Sequence, residues 1–375
     1  MLRRVVLVIG AFLVGCILVM AGISMILAQE AQSESEFIIS AWIPNENVTS
    51  GVEAFNNHSR MFNQISPIVF EVDRYGIVQA NLEISAGQGW DNLFEKSVAD
   101  NILVIPTVFW NDTVAINTTL VNLEKRREHS ASLVRLIDMY DLKGIDINYQ
   151  KKSPSSAAFF SDFIIGLSGV LKEKGCLLSC SIEPRTSDKP PDGVSREEAF
   201  AWANDYEVLN KYCDYIRILA FDMSWQGKPA VSWEGYTDYP YAPCADINSV
   251  EEVIKYTLTK IDASKLVLGI PTYGWELEVN GIYGSWSYRR NRQLNMPEAM
   301  EVARSNFEEV KRQETGELAF NYEKRNHFYY VSFPDSESIR EKIELARLYD
   351  IKGVIFFRLD GSWEDGLWKV LGDRH

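Results

Sequence analysis

The chain has 375 residues, 46% of them apolar and 24% charged, with a formal net charge of −14. That composition is globular and too apolar for a disordered chain. The acid excess argues against a nucleic-acid partner, because phosphate binding needs clustered Lys and Arg.

The first element is an uncharged run, Val5–Ala28, preceded by Arg3 and Arg4. Its 24 residues are long enough to cross a bilayer as a helix. Two basic residues before it and Glu30, Glu34 and Glu36 after it predict a cytoplasmic N-terminus with the rest outside. A signal anchor over residues 1–28 is the first reading. A cleaved signal peptide is the second, although the apolar run exceeds the usual 7–15 residues of such a segment. A lipoprotein is the third, from the lipobox-like Leu13-Val14-Gly15-Cys16, although the chain stays apolar beyond Cys16. All three place the domain outside the cytoplasm, in the extracellular space or cell envelope. Residues 29–36 read as a polar linker. Without residues 1–28 the chain loses two bases and no acid, leaving 52 acids against 36 bases, or −16.

Residues 37–375 alternate short apolar runs with helical patterns. Strands are predicted at 38–43, 67–72, 102–110, 144–149, 177–183, 214–222, 265–273 and 353–359. Several are near-continuous apolar runs, as parallel strands buried on both faces should be. Ser153-Pro154 is an N-cap with Pro at the first helical position, and Gly175 is a C-terminal stop. Between them Phe160, Phe163, Ile164, Leu167 and Leu171 form one stripe. Leu120–Asp141 is a second amphipathic stretch. Ser195 with Glu198, Ser249 with Glu252 and Ser338 with Glu341 have capping-box spacing.

Eight alternations predict a (β/α)8 TIM barrel of the α/β class. The interval 274–352 is about twice the usual length and contains a strand-pair pattern over Asn321–Ser332, so a small α+β insertion is expected between strands seven and eight.

The four His residues, His58, His129, His327 and His375, stand apart, and the cysteine spacing matches no zinc motif, so neither metal nor cofactor is expected. Cys176 and Cys180 lie too far apart along one strand to bond each other. Free buried thiols and a disulfide both remain open for Cys176, Cys180, Cys213 and Cys244.

In such barrels function sits at the C-terminal ends of the strands. Those ends carry Trp42, Glu71, Asp73, Trp110, Gln150, Glu183, Asp222, Trp225, Tyr273, Trp275 and Phe357. Aromatic faces that stack on sugars, with acids that bind hydroxyls, would make a carbohydrate cleft. For any single aromatic, a core role competes with that reading.

Lys143-Gly144-Ile145-Asp146-Ile147-Asn148-Tyr149-Gln150 resembles the D-G-x-D-x-D-x-E signature of glycoside hydrolase family 18, the chitinase family. Leu219–Trp225 resembles its M-x-Y-D strand six, Leu266–Gly274 its L-x-L-G-x-P-x-Y-G strand seven, and Gly353–Gly361 its strand eight. The likeness spans about residues 37–371 and is nearest the bacterial branch with spore-cortex hydrolases. It implies a mechanism in which the last motif acid protonates the glycosidic oxygen and the substrate's 2-acetamido oxygen attacks. It also implies ligands that contain N-acetylglucosamine, such as chitin or peptidoglycan.

The motif departs from the family where the chemistry sits. The general-acid position is Gln150, which cannot release a proton near neutral pH. General-acid assistance typically supplies about 10²–10⁴-fold in rate. The acetamido-orienting position is Asn148, the strand-six Tyr is Phe221, the strand-eight Trp is Phe357 and the first motif Asp is Lys143. Asp146 and Asp222 alone keep the family's acids. The expectation is a membrane-tethered, non-hydrolytic glycan-binding domain that uses Trp42, Trp110, Glu183, Phe221, Trp225, Tyr273, Trp275 and Phe357. The alternatives are a hydrolase with a substitute acid, Glu183 or Asp222, and a protein-interaction scaffold. Arg185 is a candidate ion-pair partner for Glu183.

Overall fold

The structure is a computed structural model that describes residues 37–80, 89–190, 199–223, 242–282, 285–314 and 316–372. The apolar segment 1–28, the linker 29–36, Trp225 and the Ser195–Glu198 spacing lie outside the described residues.

Eight parallel strands close on themselves. They are β1 Ile38–Ile43, β2 Gln64–Val72, β3 Thr107–Trp110, β4 Gly144–Tyr149, β5 Leu177–Ile182, β6 Tyr215–Ile218, β7 Leu266–Pro271 and β8 Gly353–Phe357. Closure is made by β1, which pairs with β8 (Ile38 opposite Gly353) and with β2 (Trp42 opposite Ser66). Gly353 leaves room for that closure, since a Cβ there would stand 2.3 Å from the Ile38 carbonyl oxygen. The interior is packed by Ile38, Trp42, Ile68, Leu219, Val267 and Ile355.

Helices cover the outside. Ser153 caps the turn Pro154–Ser156, which leads into the helix Ala157–Glu173, and Gly175 follows with φ of +68°. Phe160, Phe163, Ile164, Leu167 and Leu171 are all buried, each worth roughly 1.5–3 kcal/mol relative to exposure. By length and composition, Pro154–Glu173 is the one candidate span among the described residues, and its apolar stripe faces the barrel. The second amphipathic stretch is broken at Asn122, whose side chain caps the helix Leu123–Met139.

Two capping assignments shift. Asp246, not Ser249, caps Ile247–Thr257, and its carboxylate accepts from the Ser249 amide. Asp335 caps Ser336–Leu348 in a capping box, with Ser338 as its third helical residue. An Asp three residues upstream starts each helix one turn earlier than the Ser–Glu spacing implies.

The long interval after β7 forms a five-stranded antiparallel sheet. His327–Phe333 is central, paired on one side with Gly274–Ile282, which pairs in turn with Ser285–Leu294, and on the other with Leu318–Lys324, which pairs with the edge strand Lys311–Arg312. The helix Met296–Ser305 packs on one face through Ala299 and Ala303.

Candidate functional site

A cleft of about 370 Å³ opens at the C-terminal ends of the barrel strands. It brings together Trp42, Trp110, Asn148, Gln150, Phe221, Asp222, Tyr273 and Phe357 from the sequence expectation. Asn45, Glu46, Glu71, Phe109, Asn111 and Gln293 complete much of the wall. Gln293 comes from the insertion sheet, where it pairs with Trp275.

Strand β4 alternates, so Asp146, Asn148 and Gln150 share its inner side. Gln150 Nε2 donates to Asn148 Oδ1 at 3.1 Å. The two amides therefore form a pair at the motif positions where the family carries acids. Neither member can supply a proton near neutral pH.

Asp146 lies below the cleft with no exposure and is not part of the lining. Its carboxylate accepts from Thr107 Oγ1 at 3.0 Å and from Ser181 Oγ at 2.9 and 3.0 Å, and stands 3.3 Å from Arg217 Nη1. Arg217 is equally buried, and its Nη2 donates to Gln64 Oε1 at 2.9 Å. Burial lowers the guanidinium pKa, while the Asp146 carboxylate opposes that shift. Arg217 was missed in the sequence. Its only signal is a charge within the apolar run Tyr215–Ile218.

Asp222 lines the cleft but is fully engaged. Its backbone is left-handed, with φ of +56°, a conformation Asp tolerates. Trp275 Nε1 donates to Oδ1 at 2.8 Å, Tyr273 Oη to Oδ2 at 2.9 Å and Cys244 Sγ to Oδ1 at 3.3 Å. Arg290 approaches Oδ2 at 3.8 Å. Burial pushes the Tyr273 hydroxyl and Cys244 thiol well above their usual pKa values, and the nearby Asp222 charge adds to both shifts.

Several expectations need correction. Glu183 does not line the cleft. It accepts from the Lys151 amide at 2.7 Å and Asn204 Nδ2 at 3.0 Å and pairs with buried Lys152 at 3.3 Å. Arg185 instead stacks on Tyr206, 4.2 Å from the ring centroid, because that face offers a planar partner. Trp275 is buried beneath the cleft against Tyr273 and Leu277, with its N–H committed to Asp222. Trp42 and Trp110 reach the lining but are each only 1% exposed, so they are wall rather than open platform. The Trp42 indole donates to Thr107 Oγ1 at 3.1 Å.

The more open aromatic floor is Phe221 and Phe357. Their rings stack at 6.0 Å and 11°, and Tyr273 meets both edge-on. The Phe357–Arg358 peptide is cis. Behind Trp110, His129 receives the Tyr149 hydroxyl at 2.5 Å on Nε2 and donates from Nδ1 to the Gly76 carbonyl at 2.9 Å. A carbonyl can only accept, so the proton of the neutral ring sits on Nδ1. Burial lowers the His129 pKa to about 4. Cys180 on β5 and Cys213 form a disulfide, while Cys176 and Cys244 are free thiols. Among the described residues no group of three or more His, Cys, Asp or Glu is placed to hold a metal.

A closed α/β barrel with an aromatic-floored cleft at the C-terminal ends of its strands, built around a β4 motif, places this chain among the (β/α)8 barrel proteins. Residues 87–361 match the profile of Glycosyl hydrolases family 18, and the chain belongs to that family. It is 24% identical over 253 residues to the uncharacterized glycosylase YvbX of Bacillus subtilis, covering 67% of this chain and 66% of that one. The spore cortex-lytic enzyme SleL of Bacillus megaterium superposes with a TM-score of 0.70 at 16% identity, over 90% of this chain and 73% of that one. A family 18 chitinase from Cycas revoluta, solved with (GlcNAc)3, superposes with a TM-score of 0.69 at 15% identity, over 90% and 99% of the two chains. The chain spans about half to two thirds of the length of curated relatives it matches.

Proposed function

We propose that this chain is an exported, membrane-tethered family 18 domain that binds glycans containing N-acetylglucosamine, chitin or peptidoglycan, and does not cleave them by the family mechanism. The observation that carries this reading is the Gln150–Asn148 amide pair at the positions of the general acid and the acetamido-orienting acid. Asp146, Asp222 and Glu183 are no ready substitutes, because each is held by several donors. The stacked Phe221 and Phe357 rings keep an apolar floor, and stacking on a sugar face needs no acid. Export is supported by the Cys180–Cys213 disulfide, a bond that persists in oxidising compartments.

The test is a turnover assay on N-acetylglucosamine oligomers beside a binding measurement on the same sugars. The expected result is binding without turnover. Robust hydrolysis by the unmodified protein would overturn the reading. A second reading, hydrolysis with another carboxylate, rests on Glu71, an exposed acid in the cleft wall that accepts from Asn45 at 3.2 Å. Turnover abolished by Glu71→Gln would establish it.

A further inference from the structure

Just past the β4 motif, Lys152 has no exposure at all, a rare place for a lysine. Its Nζ donates to the Tyr149 carbonyl, stands 3.3 Å from Glu183 Oε2 and lies 4.8 Å from the centroid of the Phe160 ring. The same Glu183 oxygen accepts from Asn204 Nδ2 at 3.0 Å. Asn204 follows the short helical turn Phe200–Ala203 and is 1% exposed. An amine, a carboxylate and a primary amide therefore meet at one oxygen atom, away from water.

The chemistry of this trio goes beyond an ion pair. Asn204 Nδ2 also donates to the Ala201 carbonyl at 3.2 Å. Both of its neighbours can only accept, so the orientation of the amide is fixed. Its Oδ1 is then left buried with no hydrogen-bond partner among the described residues. A clamp built for stability alone would pair that oxygen. Burial lowers the Lys152 pKa, while the Glu183 charge opposes the shift. The neutral amine, which is the nucleophilic form, is thus easier to reach than for a lysine in water.

We propose that Lys152 and Asn204 join in an intramolecular isopeptide bond, formed by the folded chain itself with Glu183 as the proton relay. One proton passes from the Lys152 ammonium to the Glu183 carboxylate. The neutral Nζ attacks Asn204 Cγ, so that the Nζ–Cγ bond forms and the Cγ–Nδ2 bond breaks. The departing nitrogen takes the proton held by Glu183 and a second proton from Nζ, and leaves as ammonium with Glu183 again ionised. The exchange of one amide for another is redox-neutral. The link ties the chain beyond Gln150 to the start of the helix Tyr206–Tyr212. Unlike the Cys180–Cys213 bridge, it survives reductant.

The test is mass spectrometry of the purified, reduced full chain, intact and after proteolysis. The expected mass is lower than that of the unlinked chain by one ammonia molecule. The digest is expected to contain a branched peptide that joins the segments carrying Lys152 and Asn204. Lys152→Arg and Glu183→Gln should each show the unlinked mass and no branched peptide. Wild-type protein at the unlinked mass overturns the proposal, and so does loss of ammonia without the branched peptide. A branched peptide that persists in Glu183→Gln overturns the relay. The wild-type mass decides by itself, so a variant that fails to fold does not blunt the test.

Discussion

Arg217 and Asp146 form an ion pair at 3.3 Å in which both side chains are wholly shielded from solvent. The pair sits on facing inner positions of β6 and β4, directly below the amide pair of the motif. Thr107 and Ser181 donate to the Asp146 carboxylate, and Gln64 accepts from Arg217 Nη2. Removing one partner should therefore be far worse than removing both. Arg217→Met is expected to cost about 3–5 kcal/mol, because it leaves a buried carboxylate unpaired. The double variant Arg217→Met with Asp146→Leu should recover much of that. Urea unfolding of the three proteins measures both values, and additive losses would show that the two side chains do not act as a pair.

Restoring acids to the motif is expected to leave turnover at background. Asn148→Asp with Gln150→Glu replaces the lost carboxylates, but Phe221 still lacks a hydroxyl and Phe357 still replaces the family's Trp. An assay on N-acetylglucosamine oligomers decides this. Activity well above wild type would show that those two aromatic positions are dispensable.

The aromatic positions should separate into two kinds. Phe357→Ala removes half of the aromatic cleft floor and is expected to weaken oligomer binding about tenfold. Trp275→Ala acts from beneath, since its indole holds Asp222 at 2.8 Å. Its expected effect is a loss of about 3–5 kcal/mol in stability, read by chemical denaturation. Loss of binding by Trp275→Ala with unchanged stability would place it in the cleft after all.

His129 gives the fold a defined acid sensitivity. Its pKa falls from an ordinary 6.5 to about 4 because burial disfavours the cation. Between those values the unfolded chain binds a proton that the folded chain does not, so stability falls as pH drops from 6.5 towards 4. Below about pH 4 this contribution is exhausted. The expected loss is roughly 3 kcal/mol over that window. His129→Gln should flatten the slope in urea unfolding measured between pH 4 and 7, and an unchanged slope would assign the sensitivity elsewhere.

The Cys180–Cys213 bridge closes a sequence separation of 33 residues. Chain-entropy arguments give such a loop about 2–4 kcal/mol of stabilisation. Reduction, or Cys180→Ser with Cys213→Ser, should lower the melting temperature by several degrees, while Cys176→Ser should not. Equal melting temperatures with and without reductant would remove the bridge from the stability account.

The strands were legible because burial on both faces leaves a strong local mark, and the predicted 144–149 run is the observed β4. Helix starts were less legible. Ser249 and Ser338 carry capping-box spacing, yet Asp246 and Asp335 cap the helices, because several polar side chains close in sequence compete for the same free amides. The cleft was legible in its strand-end residues. Gln293, which reaches it from the insertion sheet, had no local signal.

The sequence by itself determined the barrel and the identity of each motif side chain. An amide at 150 remains an amide in any fold, and the loss of proton chemistry follows from covalent structure alone. Only the tertiary structure decided which carboxylates remain free to act. Asp146 is claimed by Arg217 from β6, Asp222 by Tyr273 and Trp275 from the chain beyond β7, and Glu183 by Lys152 and Asn204. A carboxylate's availability depends on the donors that surround it, and most of these arrive from distant strands that meet only when the barrel closes.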